Sequence, residues 1–102
     1  MQSVSKPNLY NLTLTLADTE YSQALPSFCK SIRIFARPDP TTGTLYDMKL
    51  AFTAGASGTT YISIPGGYKE IPISEGNVVA GIITVYLQSP TAGTVAEILA
   101  WT

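Results

Sequence analysis

Histidine is absent from this 102-residue chain, and cysteine occurs once, at Cys29. Histidine is the side chain that most often serves as general base near neutral pH. Without it, catalysis would fall to carboxylates, tyrosines or the single thiol, and none of these has a partner in the sequence around it. One cysteine excludes an internal disulfide and a cysteine-based zinc site. Charge is scarce too: Asp, Glu, Lys and Arg make up 13% of the residues, against a usual share of about 25%. Six basic and seven acidic residues leave a net charge of -1. They form no Lys/Arg cluster, so nucleic acid is not an expected partner. No run reaches the roughly 18 apolar residues of a membrane helix, and the opening MQSVSKPNLY has no apolar segment of the secretory kind. Neither a membrane span nor a signal peptide is expected. A helical period is missing from every window of about 11 residues, as are repeats and low-complexity tracts.

Alternation is plentiful. Hydrophobic residues make up 45% of the chain, enough for one core in one domain. Residues 1–8 read as a polar, flexible N-terminal arm closed by Pro7, and residues 9–102 as a single β-domain. Tyr10, Leu12, Leu14 and Leu16 alternate with Asn11, Thr13 and Thr15, a half-buried strand. A short strand from Tyr21 to Leu25 stops at Pro26. In Cys29 to Arg37, Ile32, Ile34 and Ala36 point one way and Ser31, Arg33 and Phe35 the other. A Pro- and Gly-rich loop follows, and Met48, Leu50 and Phe52 then alternate with Asp47, Lys49 and Ala51. Thr59 to Ile64 reads as a fifth strand, and Tyr68 to Ile73 as a sixth, confined to an edge by Pro72. With two closing strands, about eight short strands predict an all-β, two-sheet antiparallel sandwich, jelly-roll-like in strand number.

The closing stretch, Ile82 to Thr102, has two β-branched and aromatic runs around Ser89-Pro90-Thr91-Ala92-Gly93. This reads as a central antiparallel hairpin. Both parities are largely apolar, so one row is expected in the core and the other under a subunit or another protein. With Val85, Leu87, Leu99 and Trp101 facing in, the outward interface row is Ile82, Tyr86, Ile98 and Ala100. A one-residue slip would exchange the two.

No catalytic, cofactor-binding or metal-binding set emerges. Cys29, at a strand start, reads as a small buried hydrophobe ahead of a nucleophile. Asp18 and Glu20 flank a turn as solvated charges, too few for calcium. The Gly55-Ala-Ser-Gly58-Thr-Thr stretch has the look of a phosphate loop, but it lacks the lysine and leads into Tyr61, Ile62 and Ile64, a strand. Asn11-Leu12-Thr13 matches a glycosylation sequon inside a strand, a chance match in a chain of this kind. The aromatic residues, though able to stack on sugars, are expected mainly in the core or at subunit contacts.

Three segments, Thr19 to Pro26, Leu50 to Pro65 and Tyr86 to Thr102, together resemble small tailed-bacteriophage structural proteins, and the resemblance spans most of the chain after residue 8. It implies a β-sandwich virion protein, most specifically a head decoration or cement protein that stabilises the capsid by oligomeric contact. The implied partners are the major capsid protein or other virion proteins and further copies of the chain, a trimer being favoured. The implied location is the virion, assembled in the bacterial host cytoplasm. The resemblance rests on strands and turns and transfers no functional residue. The alternative is a lectin-like or receptor-contacting module of a phage fibre or tail. An enzyme is not expected on either reading.

Overall fold

Alternating residues settle where the strands form, and turn residues settle where they stop. The computed structural model describes residues 7–26, 29–72 and 83–102. They contain eight strands: β1 (Pro7–Leu14), β2 (Tyr21–Ala24), β3 (Ser31–Ala36), β4 (Met48–Ala51), β5 (Ile62–Ile64), β6 (Tyr68–Pro72), β7 (Thr84–Gln88) and β8 (Thr94–Trp101). The strands make two antiparallel four-stranded sheets, sheet A in the order β1-β8-β3-β6 and sheet B in the order β2-β7-β4-β5. The two-sheet sandwich expected from the sequence is therefore present. β1 begins at Pro7, inside the stretch assigned to the arm, and residues 1–6 lie outside the described residues.

Along β1, β3, β7 and β8 one parity turns inward. Leu14, Ile32, Ile34, Met48, Leu50, Ile64, Val85, Leu87 and Ile98 are almost wholly withdrawn from solvent. Each such side chain contributes roughly 1.5–3 kcal/mol of transfer free energy. Leu16 and Phe52, expected to continue the inward rows, are exposed, because β1 ends at Leu14 and β4 at Ala51.

The pairing is nested. β1 pairs with β8, β2 with β7, β3 with β6 and β4 with β5, and the cross-pairs β3·β8 and β4·β7 complete the sheets. The last two strands are not a hairpin, contrary to the sequence reading. β7 is central in sheet B and β8 is central in sheet A, so Ser89 to Gly93 is an arch that crosses between the sheets. Two hydroxyls make that crossing possible. Ser89, fully buried, donates from Oγ to the Asp47 carbonyl (2.9 Å) and accepts at Oγ from the Thr91 N–H (3.2 Å). Thr94, also buried, donates to the Thr91 carbonyl (2.8 Å). Gly93, at φ 81°, adopts the left-handed backbone that lets its N–H reach the Leu14 carbonyl (2.8 Å).

Candidate interaction surface

The outer face of sheet A assembles side chains from four strands. From β1 come Leu9, Asn11 and Thr13; from β8 come Val95, Glu97, Leu99 and Trp101; from β3 come Arg33, Phe35 and Arg37 just past its end; from β6 come Tyr68 and Glu70. Register sets them in rows. Leu9, Leu99, Arg33 and Glu70 lie across one line, and Asn11, Glu97, Phe35 and Tyr68 across the next. Leu9 is 77% exposed, Tyr68 46% and Phe35 43%, although large apolar side chains normally gain by burial. The Phe35 and Tyr68 rings pack at 4.6 Å between centroids, tilted by 57°, a favourable edge-to-face type of contact.

Charge on this face is internally neutralised. Arg33 Nε lies 2.6 Å from Glu70 Oε2, and Arg37 is held to Glu97 Oε2 at 2.9 Å from both Nε and Nη2. Half-exposed pairs of this kind add little stability. They do let the face be apolar and hydrogen-bonding without a net charge of its own. Between the strands lies an open cleft of about 410 Å³ lined by Leu9, Asn11, Phe35, Arg37, Glu97 and Leu99.

Sheet B is different, because its own chain lies over part of its outer face. Residues 52–61, linking β4 to β5, fold back so that Ser57, 1% exposed, reaches Gln88, which shares the outward parity of Thr84 and Tyr86 on β7. Glu20 fastens this loop. Its Oε2 accepts from the Gly55 N–H (2.8 Å), and its Oε1 accepts from the Ser57 N–H (3.1 Å) and the Ser57 hydroxyl (2.6 Å). The Ser57 hydroxyl bond, then the Gly55 N–H, hold the Glu20 carboxyl below the ordinary glutamate range; partial burial opposes them and the Ser57 N–H adds to them. The stretch with the look of a phosphate loop does cradle an anion with its backbone N–H groups, and the anion is Glu20.

Asp39 organises the loop between β3 and β4 in a similar way. Its Oδ1 accepts from the N–H groups of Thr41 (2.8 Å) and Thr42 (3.0 Å), and its Oδ2 from the Tyr46 hydroxyl (2.9 Å). Led by the Thr42 N–H, these bonds lower the Asp39 carboxyl, and Asp39 in turn raises the Tyr46 phenol. Cys29 is buried, with Sγ 3.6 Å from the Ser31 carbonyl, and burial pushes its thiol up, away from the reactive thiolate. Among the described residues, no group of three His, Cys, Asp or Glu side chains is placed to hold a metal ion.

The expected interface row does not form one surface. Ile98 and Ala100 are fully buried on the inner face of sheet A, and Tyr86 is half-buried on the outer face of sheet B, opposite Ser22 and Ala51. Ile82 lies outside the described residues. Val85 and Leu87 do face in, but Leu99 and Trp101 face out. The arch is the physical reason: β7 and β8 turn their inner faces toward each other from opposite sheets, so the inward parity of one says nothing about the parity of the other. The residues of the exposed face were signalled more quietly, by Phe35 standing in the polar parity of β3 with Arg33, and by Leu9 in that of β1 with Asn11 and Thr13. Comparisons with protein-family models, with curated proteins and with solved structures find no match to this chain.

Proposed function

We propose that this protein is a structural subunit of a bacteriophage particle, a head decoration or cement protein that stabilises the shell by occupying it. The observation that carries the proposal is the outer face of sheet A, where Leu9, Phe35 and Tyr68 are exposed and, with half-buried Leu99, surround two internally neutralised ion pairs. A face of that composition gains by being covered, and contact is the work a decoration subunit performs. The resemblance of three segments to phage structural proteins supports the particle as the setting. The nested strand pairing supports a jelly-roll reading of the sandwich, an architecture used in capsid and lectin domains, although fold analogy alone assigns no activity. The partners on this reading are the major capsid protein or other virion proteins, together with further copies of the chain.

Binding to the assembled shell and not to its free subunits stabilises the shell by mass action. Heads assembled with the chain should therefore rupture at a higher temperature than heads without it. The double variant Phe35→Asp with Leu99→Lys should lose occupancy while keeping its far-UV circular dichroism. Heads equally robust without the protein, in particles that fail to adsorb to cells, would replace this reading with the fibre or tail module. That second reading is favoured by the cleft, where Phe35 stands beside the hydrogen-bonding groups of Asn11, Arg37 and Glu97, the pairing of ring and polar groups that suits a sugar.

A further inference from the structure

Among the described residues four strands end the two sheets, and three of them carry devices that discourage further pairing. β2 has four residues and leads into Pro26, β5 has three and leads into Pro65, and β6 carries Lys69, Glu70 and Pro72. Shortness, charge and proline are the usual means of blunting an edge. β1 has eight residues, none of them charged, and its one proline stands at the first position. The bond from the Gly93 N–H to the Leu14 carbonyl fixes the phase of this strand. Leu14, Leu12 and Tyr10 turn their backbone groups toward β8, and Leu9, Asn11 and Thr13 turn theirs away from the sheet. These three residues are exposed, and no described strand lies beyond them.

We propose that this edge pairs with the same edge of a second copy, antiparallel, about a two-fold axis at Asn11. In that register Asn11 meets its counterpart and Leu9 meets Thr13 of the second copy, each pair exchanging two N–H···O=C bonds, so every outward backbone group of the three residues finds a partner. The side chains agree with it. Leu9, the most exposed of the large hydrophobic residues described, packs on a threonine methyl group. The two Asn11 amides each offer a donor and an acceptor to the other. On the inner face Tyr10 meets Leu12, both of which border the core yet remain half-exposed at the edge. An uncharged strand opposes no like charges when it meets itself, whereas β6 would bring its own lysine and glutamate to the joint. At about 3.3 Å per residue β1 is about 26 Å long. The shortest extent of the molecule is 19 Å, so the edge covers roughly 500 Å² on each copy and about 1,000 Å² in all, the lower bound for a specific interface. The pairing is accordingly concentration-dependent. Of the residues that carry the virion reading it uses only Leu9; its bonding groups are the backbone of the edge strand, and it stands without that reading.

Light scattering on the full chain, from micromolar to millimolar concentration, should show the mass rising from 10.9 kDa toward twice that value. The register predicts a charge pattern. Leu9→Lys with Thr13→Lys places like charges at both crossing pairs and should weaken association roughly tenfold or more, while Leu9→Lys with Thr13→Glu places opposite charges there and should restore it. Asn11→Pro removes an outward N–H and leaves the β8 ladder intact, so it should abolish the dimer; if that variant does not fold, the two charge variants, altered only at exposed positions, decide. The amides of Leu9, Asn11 and Thr13 should become protected from hydrogen exchange as concentration rises. A chain monomeric throughout, or a trimer, or two charge variants that associate equally, would overturn the pairing. Failure of heads to gain stability would count against the virion reading alone.

Discussion

Glu20 lies between β1 and β2, yet its carboxylate is bound by the loop between β4 and β5, through the Gly55 N–H and both the N–H and hydroxyl of Ser57. Because these bonds hold its folded pKa below the unfolded value, the contact contributes fully above the unfolded pKa and is lost as pH falls through the lowered one. Glu20→Ala leaves the Ser57 N–H, in a residue 1% exposed, without its acceptor, and should cost about 1–2 kcal/mol near pH 7. By about pH 3, below the ordinary glutamate range, the difference between variant and parent should shrink. Chemical denaturation at the two pH values checks this; an equal difference at both would mean that the carboxylate charge contributes nothing. In the sequence Glu20 read as a solvated turn charge, because its partners lie 35 and 37 residues away and no local pattern marks a contact of that span.

At the scale of the element, β1 and β3 were legible because only one of their parities is strongly apolar. Ile32, Ile34 and Ala36 could face only inward, and they do. β8 was not legible in the same way, since Val95, Leu99 and Trp101 on one parity and Ala96, Ile98 and Ala100 on the other are both apolar rows. Size favoured the wrong row. The central strand of sheet A turns its smaller set inward, where two alanines flank Ile98, and leaves the bulkier set half-exposed. Nor does periodicity separate a hairpin from an arch, because both give two alternating runs around a turn; the buried hydroxyls of Ser89 and Thr94 mark the crossing, and a hydroxyl in sequence carries no sign of burial. A sharp contrast follows. Ile98→Lys places a charge between the sheets and should leave no folded protein by far-UV circular dichroism and thermal melting, whereas Tyr86→Lys, on the outer face of sheet B, should fold. A folded Ile98→Lys variant would contradict the assigned face of β8.

For the molecule as a whole, the nested pairing makes the last strand the one on which sheet A closes. β8 lies between β1 and β3, so a chain ending at Gly93 leaves those two strands without their shared neighbour and exposes Leu14, Ile32 and Ile34 to water. Such a chain should show no cooperative thermal transition; a sharp one would mean that sheet B and β3·β6 suffice. The same arrangement has a consequence in time. Leu14 is paired with Thr94, which leaves the ribosome about 80 residues later, roughly 4–16 s at typical synthesis rates of ~5–20 residues per second. Through that interval β1 has both flanks open, and an uncharged strand open on both sides is an aggregation hazard. A chain cut short before β8 cannot close sheet A, so the order of synthesis itself separates chains able to fold from chains that are not.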